Sequence, residues 1–176
     1  MDWRTVVYEN IKRKRKILFD KDNPLISGLR ARLETGDRRA AVMWALRVSE
    51  DAVSQLETHC PAEQRPRKCL ASARLWAQGI LKMPAAKSDI LACHAAAKEM
   101  DDPADAALCH AAAQGCSTVH TARHAIGFAM YELTSITLRY GIEAAERRAE
   151  EYSAVYDYIA ANTESFKGEW ADFLKP

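Results

Sequence analysis

The chain has 176 residues, 48% hydrophobic and 28% charged, with a formal charge of +1; one domain with a sizeable core is expected, and a disordered chain is excluded. Its 31 alanines against 6 prolines and 7 glycines favour helices over a turn-rich β fold. No apolar run approaches the ~20 residues of a bilayer span, and the first residues, with Asp2 and Glu9, lack the apolar core of an export signal, so a cytoplasmic protein with no membrane partner is expected.

Asp2 is placed to cap a first helix with Trp3, Val7, Ile11 and Leu18 on its apolar stripe and Lys12 to Lys16 as a basic run along it. Lys14 then falls on the stripe, where its stem must snorkel or the stripe must end. Asn23-Pro24 start a second helix that Thr35-Gly36 stop. Asp37 caps a long third helix, with Ala41, Trp44, Val48 and Ala52 at helical spacing, ending near His59-Cys60-Pro61. Pro66 opens a fourth, with Leu70, Ala73 and Ala77 on one face, which stops at Gly79. Pro84 opens a fifth, to about Met100, and Asp102-Pro103 start a sixth that Gly115 ends. Thr118 to Tyr140 are predicted as one long helix closed by Gly141. A helix from about Ile142 to Ala161 follows, then a short one capped by Thr163. The expected fold is all-α, a single domain over 1–176 built as a bundle of seven or eight helices with short connections. Cys93-His94-Ala95-Ala96-Ala97 recurs as Cys109-His110-Ala111-Ala112-Ala113, which predicts one closely stacked helix pair.

Net charge runs from +4 over residues 1–36 and +2 over 37–80 to −1 over 81–140 and −4 over 141–176. The two ends should attract each other if they pack side by side, or steer different charged partners. The five cysteines, Cys60, Cys69, Cys93, Cys109 and Cys116, are odd in number and lack CxxC spacing. They are expected as free thiols acting as small hydrophobes.

His120 and His124 stand at i and i+4 and would face one point from a single helix. HExxH is absent, and Cys116 would lie ~12 Å from His124 along a helix, too far to share a zinc. A metal would need His94 or Cys109 from another helix, so hydrogen-bonded or surface histidines, without metal or cofactor, are expected. Arg65-Pro66-Arg67-Lys68 put cations at a helix start, with Arg65 on the cap position, where they oppose the helix dipole. An internal carboxylate or an acidic partner should face them. The Lys12–Lys16 run could touch phosphates. No stacking aromatics, zinc-finger spacing or helix-turn-helix signature accompanies it, so nucleic acid is not the expected partner. No GxSxG, P-loop or GxGxxG occurs, and no enzymatic activity is expected. Glu143, Glu146, Glu150 and Glu151 have ordinary surface spacings, and Trp44 and Trp76 are expected as core anchors.

DRRAAVMWALRVSE, RPRKCLASARLWAQG, ILACHAAAKEMDDPADAALCHAAA and TVHTARHAIGFAMY follow one another within residues 37–140. In this order the chain resembles the all-α immunity proteins of bacterial polymorphic-toxin systems, of the immunity-5-like kind. The matching features are Trp44-Ala45, Arg65-Pro66-Arg67, Trp76 with Gly79, His94-Ala95-Ala96-Ala97, and His120 with His124-Ala125. The basic residues 1–36 and the acidic residues 141–176 lie outside it. The resemblance implies a protein that binds a cognate toxin in the producing cell through a rigid, charge-complementary surface, without catalysis. The polar members of the matching blocks, Arg65, Arg67, His94, His120 and His124, are expected to form one binding cluster in a shared cleft. A homodimer is left open. Two other classes compete: a small-ligand or metal-binding helical bundle, and a nucleic-acid-binding or scaffold protein using the basic N-terminal helix.

Overall fold

The computed structural model describes residues 2–166 and 168–175. Its helices are α1 Trp3–Lys12, α2 Pro24–Thr35, α3 Arg38–His59, α4 Arg65–Ala77, α5 Met83–Glu99, α6 Pro103–Ser117, α7 Arg123–Tyr140 and α8 Ile142–Asn162. Short 3-10 turns follow at Thr163–Ser165 and Asp172–Leu174. Among the described residues there is no strand, and the fold is all-α.

Most ends sit where the residue punctuation puts them. Asn23 accepts from the Leu25 N–H at 3.0 Å, Asp37 from Arg39 at 2.7 Å and Asp102 from Ala104 at 2.7 Å. Each satisfies a donor that a first helical turn leaves without an intrahelical partner. Gly79, at φ +77°, closes α4 with a Schellman turn: its N–H donates to the Trp76 carbonyl and that of Ile80 to Leu75. Arg65 lies one residue inside α4 and not on the cap.

Three ends differ from the sequence reading. α1 stops at Lys12 through the same kind of turn: the Lys14 N–H donates to Ile11 at 2.9 Å and that of Arg15 to Asn10 at 3.0 Å. Lys14 itself takes φ +52°, where glycine is usual. The basic run is therefore no helix face, since residues 13–16 form the turn and the segment that doubles back. Leu18 is buried, but from this irregular segment, pinned by its N–H donating to Thr134 Oγ1 at 3.0 Å. α7 starts at Arg123 and not at Thr118: residues 118–122 form a turn, where the β-branched Thr118, Val119 and Thr121 weaken the helix preference. α6 runs past Gly115 to Ser117, since glycine there lets α6 approach α3; a Cβ would strike Ser49 Oγ and crowd the Ala45 carbonyl.

α6 is the central element, packed against α3, α4, α5 and α7. Its Ala111, Ala112 and Ala113 are buried, and small side chains bring the backbones close. The repeated motif forms the expected helix pair: the Cys93 and Cys109 sulfurs lie 3.7 Å apart, each thiol directed at the other's carbonyl. All five cysteines are free. Trp44 is fully buried, edge-on to Phe128 and Tyr152, and donates to the Tyr152 carbonyl at 3.0 Å. The charge gradient closes as expected, with Arg4 pairing Glu146 at 2.5 Å, Arg32 pairing Asp157, and Arg39 pairing Glu164 at 2.5 Å. Deeper in, fully buried Glu132 accepts from Arg148 Nε at 3.0 Å and from the Tyr152 hydroxyl.

Candidate functional site

A cleft of about 270 Å³ opens where α4, α5, α6 and the 118–122 turn meet. His94, His120 and His124 line it together with Trp76, Met83, Lys87, Ile90, Leu91 and Ser117. Each imidazole comes from a different element: α5, the turn, and the first turn of α7. The i, i+4 pairing on one helix is thus replaced by convergence of three elements.

Each ring is held by a different contact. His94 Nδ1 lies 2.8 Å from Nδ1 of His110 on α6, so one ring donates and the other accepts. Burial, then the neighbouring His110, His124 and Lys98, push His94 down to about 4, and it is neutral near pH 7. His124 Nδ1–H donates to Gln114 Oε1 at 2.9 Å, and burial lowers its pKa too. Gly127 leaves the space that Gln114 occupies, as a Cβ there would sit 2.7 Å from Oε1. Exposed His120 stacks on Trp76 at 6.3 Å between centroids and 19° between planes. Arg38 fixes its turn by donating to the Val119 and His120 carbonyls at 3.1 and 2.6 Å. Trp76 is therefore both a buried anchor, as expected, and a wall of the cleft.

Arg65 and Arg67 do not line this cleft. They begin α4 and Trp76 nearly ends it, ~15 Å away along a helix axis. Arg65 is bidentate to Glu63 at 2.8 and 2.6 Å and reaches Glu99 at 2.6 Å. Arg67 clasps Glu57 at 2.7 Å twice and Glu50 at 2.5 Å. The arginine bonds hold Glu50, Glu57 and Glu63 below the usual carboxylate range. The acid expected opposite these cations is internal, and the single cluster foreseen from the sequence divides in two. The cations tie α4 to α3 and α5, while the imidazoles line the cleft.

Compared with known protein families, residues 31–161 match the family described as "Imm-5 like putative immunity protein". The chain belongs to this family. The match takes in the last part of α2 and nearly all of α8 besides the stretch 37–140. No curated protein and no solved structure gives a significant match.

For this family member the sequence reading missed His110, Gln114 and Arg38. The signal for His110 was present, since it repeats His94 in the duplicated motif. Gln114 and Arg38 carried none: Arg38 bonds carbonyls of a turn read as helix, and Gln114 meets His124 only because that turn brings α7 back onto α6. Among the described residues, no three His, Cys, Asp or Glu side chains stand close enough to hold a metal ion. None of the described helices is long and apolar enough to cross a membrane.

Proposed function

We propose that this immunity-family protein neutralises a cognate bacterial toxin by binding it in the producing cell's cytoplasm, using the His94–His120–His124 cleft and the α5 face beside it. The observation that carries the reading is a stripe on α5. Met83, Lys87 and Leu91 follow one another at helical spacing along the cleft, and Met83 and Leu91 are 44% and 56% exposed. Large apolar side chains left in solvent beside a concavity are what the core of a protein interface requires. Among the described residues no carboxylate lines the cleft, whereas Lys87 and three imidazoles do. An acidic or aromatic group of the toxin is the complementary occupant.

In this reading Arg65 and Arg67 act as frame, holding α4 rigid, and the histidines act as contacts. Rigidity favours slow dissociation because little is ordered on binding. The test is co-expression with the toxin encoded beside this protein's gene, followed by titration calorimetry of the purified pair. The wild-type protein restores growth and forms a tight complex. Leu91→Glu, exposed and tolerable to the fold, weakens it by about tenfold or more. An unchanged affinity would remove the cleft from the interface, and absence of any complex would remove toxin binding itself.

A further inference from the structure

His94 lines the cleft, and the ring it bonds to lines a second cavity. This cavity, of about 410 Å³, gathers Lys16 and Ile17 from the segment after α1, Lys98 from the end of α5, Asp101 from the connection that follows, His110 from α6 and Tyr131 from α7. Its volume is that of a small-molecule site, and its walls are largely apolar, with the His110 and Tyr131 rings 5.1 Å apart.

The placement of Lys16 is built by the chain. The Schellman turn at Lys14, in a left-handed conformation costing about 1 kcal/mol, sends residues 15–17 back across the α5–α6 end. The cations there differ from the arginines that tie the helices together. Arg4, Arg32, Arg39, Arg65, Arg67 and Arg148 all meet carboxylates. Among the described residues neither Lys16 nor Lys98 forms an ion pair, although Asp101 lines the same cavity. Both ammonium groups lie near enough to His110 to oppose its protonation, in addition to the effect of its burial. With His110 Nδ1 committed to His94, its Nε2 is the remaining ring nitrogen.

We propose that this cavity binds a small organic anion, a carboxylate or phosphate on an apolar or aromatic body. Lys16 and Lys98 supply the charge, the Tyr131 hydroxyl supplies a directed donor, His110 Nε2–H supplies another in the tautomer where its Nδ1 accepts from His94, and the apolar wall takes the body. A bound anion offsets the repulsion between the two lysines and draws the His110 pKa back up. The proposal is independent of toxin binding.

The test is an NMR titration of the labelled protein with phenyl phosphate and, separately, benzoate, following the His110 ring. A saturable shift with Kd of about 1 mM or tighter is expected for at least one probe. The His94 ring should move with it, because the two share a hydrogen bond. The comparison of probes distinguishes phosphate from carboxylate chemistry. The double substitution Lys16→Met, Lys98→Met alters only exposed side chains and should weaken binding by about tenfold or more. No saturable shift with either probe, or the same affinity in the double variant, overturns the proposal.

Discussion

His94 and His110 face each other at 2.8 Å between Nδ1 atoms, and each occupies the same position of the repeated Cys-His-Ala-Ala-Ala motif. One Nδ1–H serves both rings. A further proton on the pair would place an imidazolium near Lys98, in a half-buried setting.

This arrangement fixes a pH dependence. In the unfolded chain imidazoles take up protons near pH 6.5, whereas folded His94 resists to about 4. Between these values the unfolded state binds more protons, so stability falls as pH falls. His110 and His124, lowered by burial, act in the same direction. Glu50, Glu57 and Glu63, held low by their arginines, extend the loss below about pH 4.5. Urea unfolding across this range should show the decline, and His94→Gln should make it shallower between about pH 6.5 and 4. Identical slopes would show that His94 does not carry it.

The two Schellman turns predict opposite responses. Lys14→Gly removes the left-handed strain at φ +52° and should raise stability by about 0.5–1 kcal/mol, read as a higher thermal midpoint. Gly79→Ala introduces the same strain and presses a Cβ to 3.2 Å from Ala171 Cα, so it should lower stability by about 1 kcal/mol or more.

Buried Glu132 predicts a strong asymmetry. Arg148→Met leaves its carboxylate with the Tyr152 hydroxyl alone and should cost about 3–5 kcal/mol. Adding Glu132→Leu should recover much of that loss, since a paired apolar replacement carries no uncompensated charge. Equal instability of the single and double variants would contradict the role of Arg148 as counter-ion.

Arg67→Met separates frame from contact. Its partners Glu50 and Glu57 are partly exposed, so the stability loss should be about 1 kcal/mol. Calorimetry of the toxin complex should show unchanged affinity. A large loss of affinity without unfolding would return Arg67 to the interface.

The fold was legible wherever a cap or a breaker carries its own chemistry. Asn23-Pro24, Asp37 and Asp102-Pro103 start helices because their side chains accept the first free N–H groups, and Gly79 and Gly141 end them because they tolerate positive φ. Lys14 closes α1 with the geometry of Gly79 but the residue type of a helix former, so α1 was drawn too long. Gly115 has the residue type of a stop but serves a close approach to α3, so α6 was drawn too short. In the site, shared membership of the matching blocks suggested one cluster. The imidazoles do converge, but the arginines were satisfied at the far end of α4 by Glu50, Glu57, Glu63 and Glu99. Glu63 is a local partner of Arg65, but the other pairings lie 10 to 34 residues apart in sequence and are set by helix packing.

The most direct measurement of the account is hydrogen–deuterium exchange of this protein alone and in complex with its toxin. Protection confined to the peptides covering Met83–His94 and Ser117–His124 is the predicted result. Protection centred on α3 and α8, with these peptides unchanged, would contradict it.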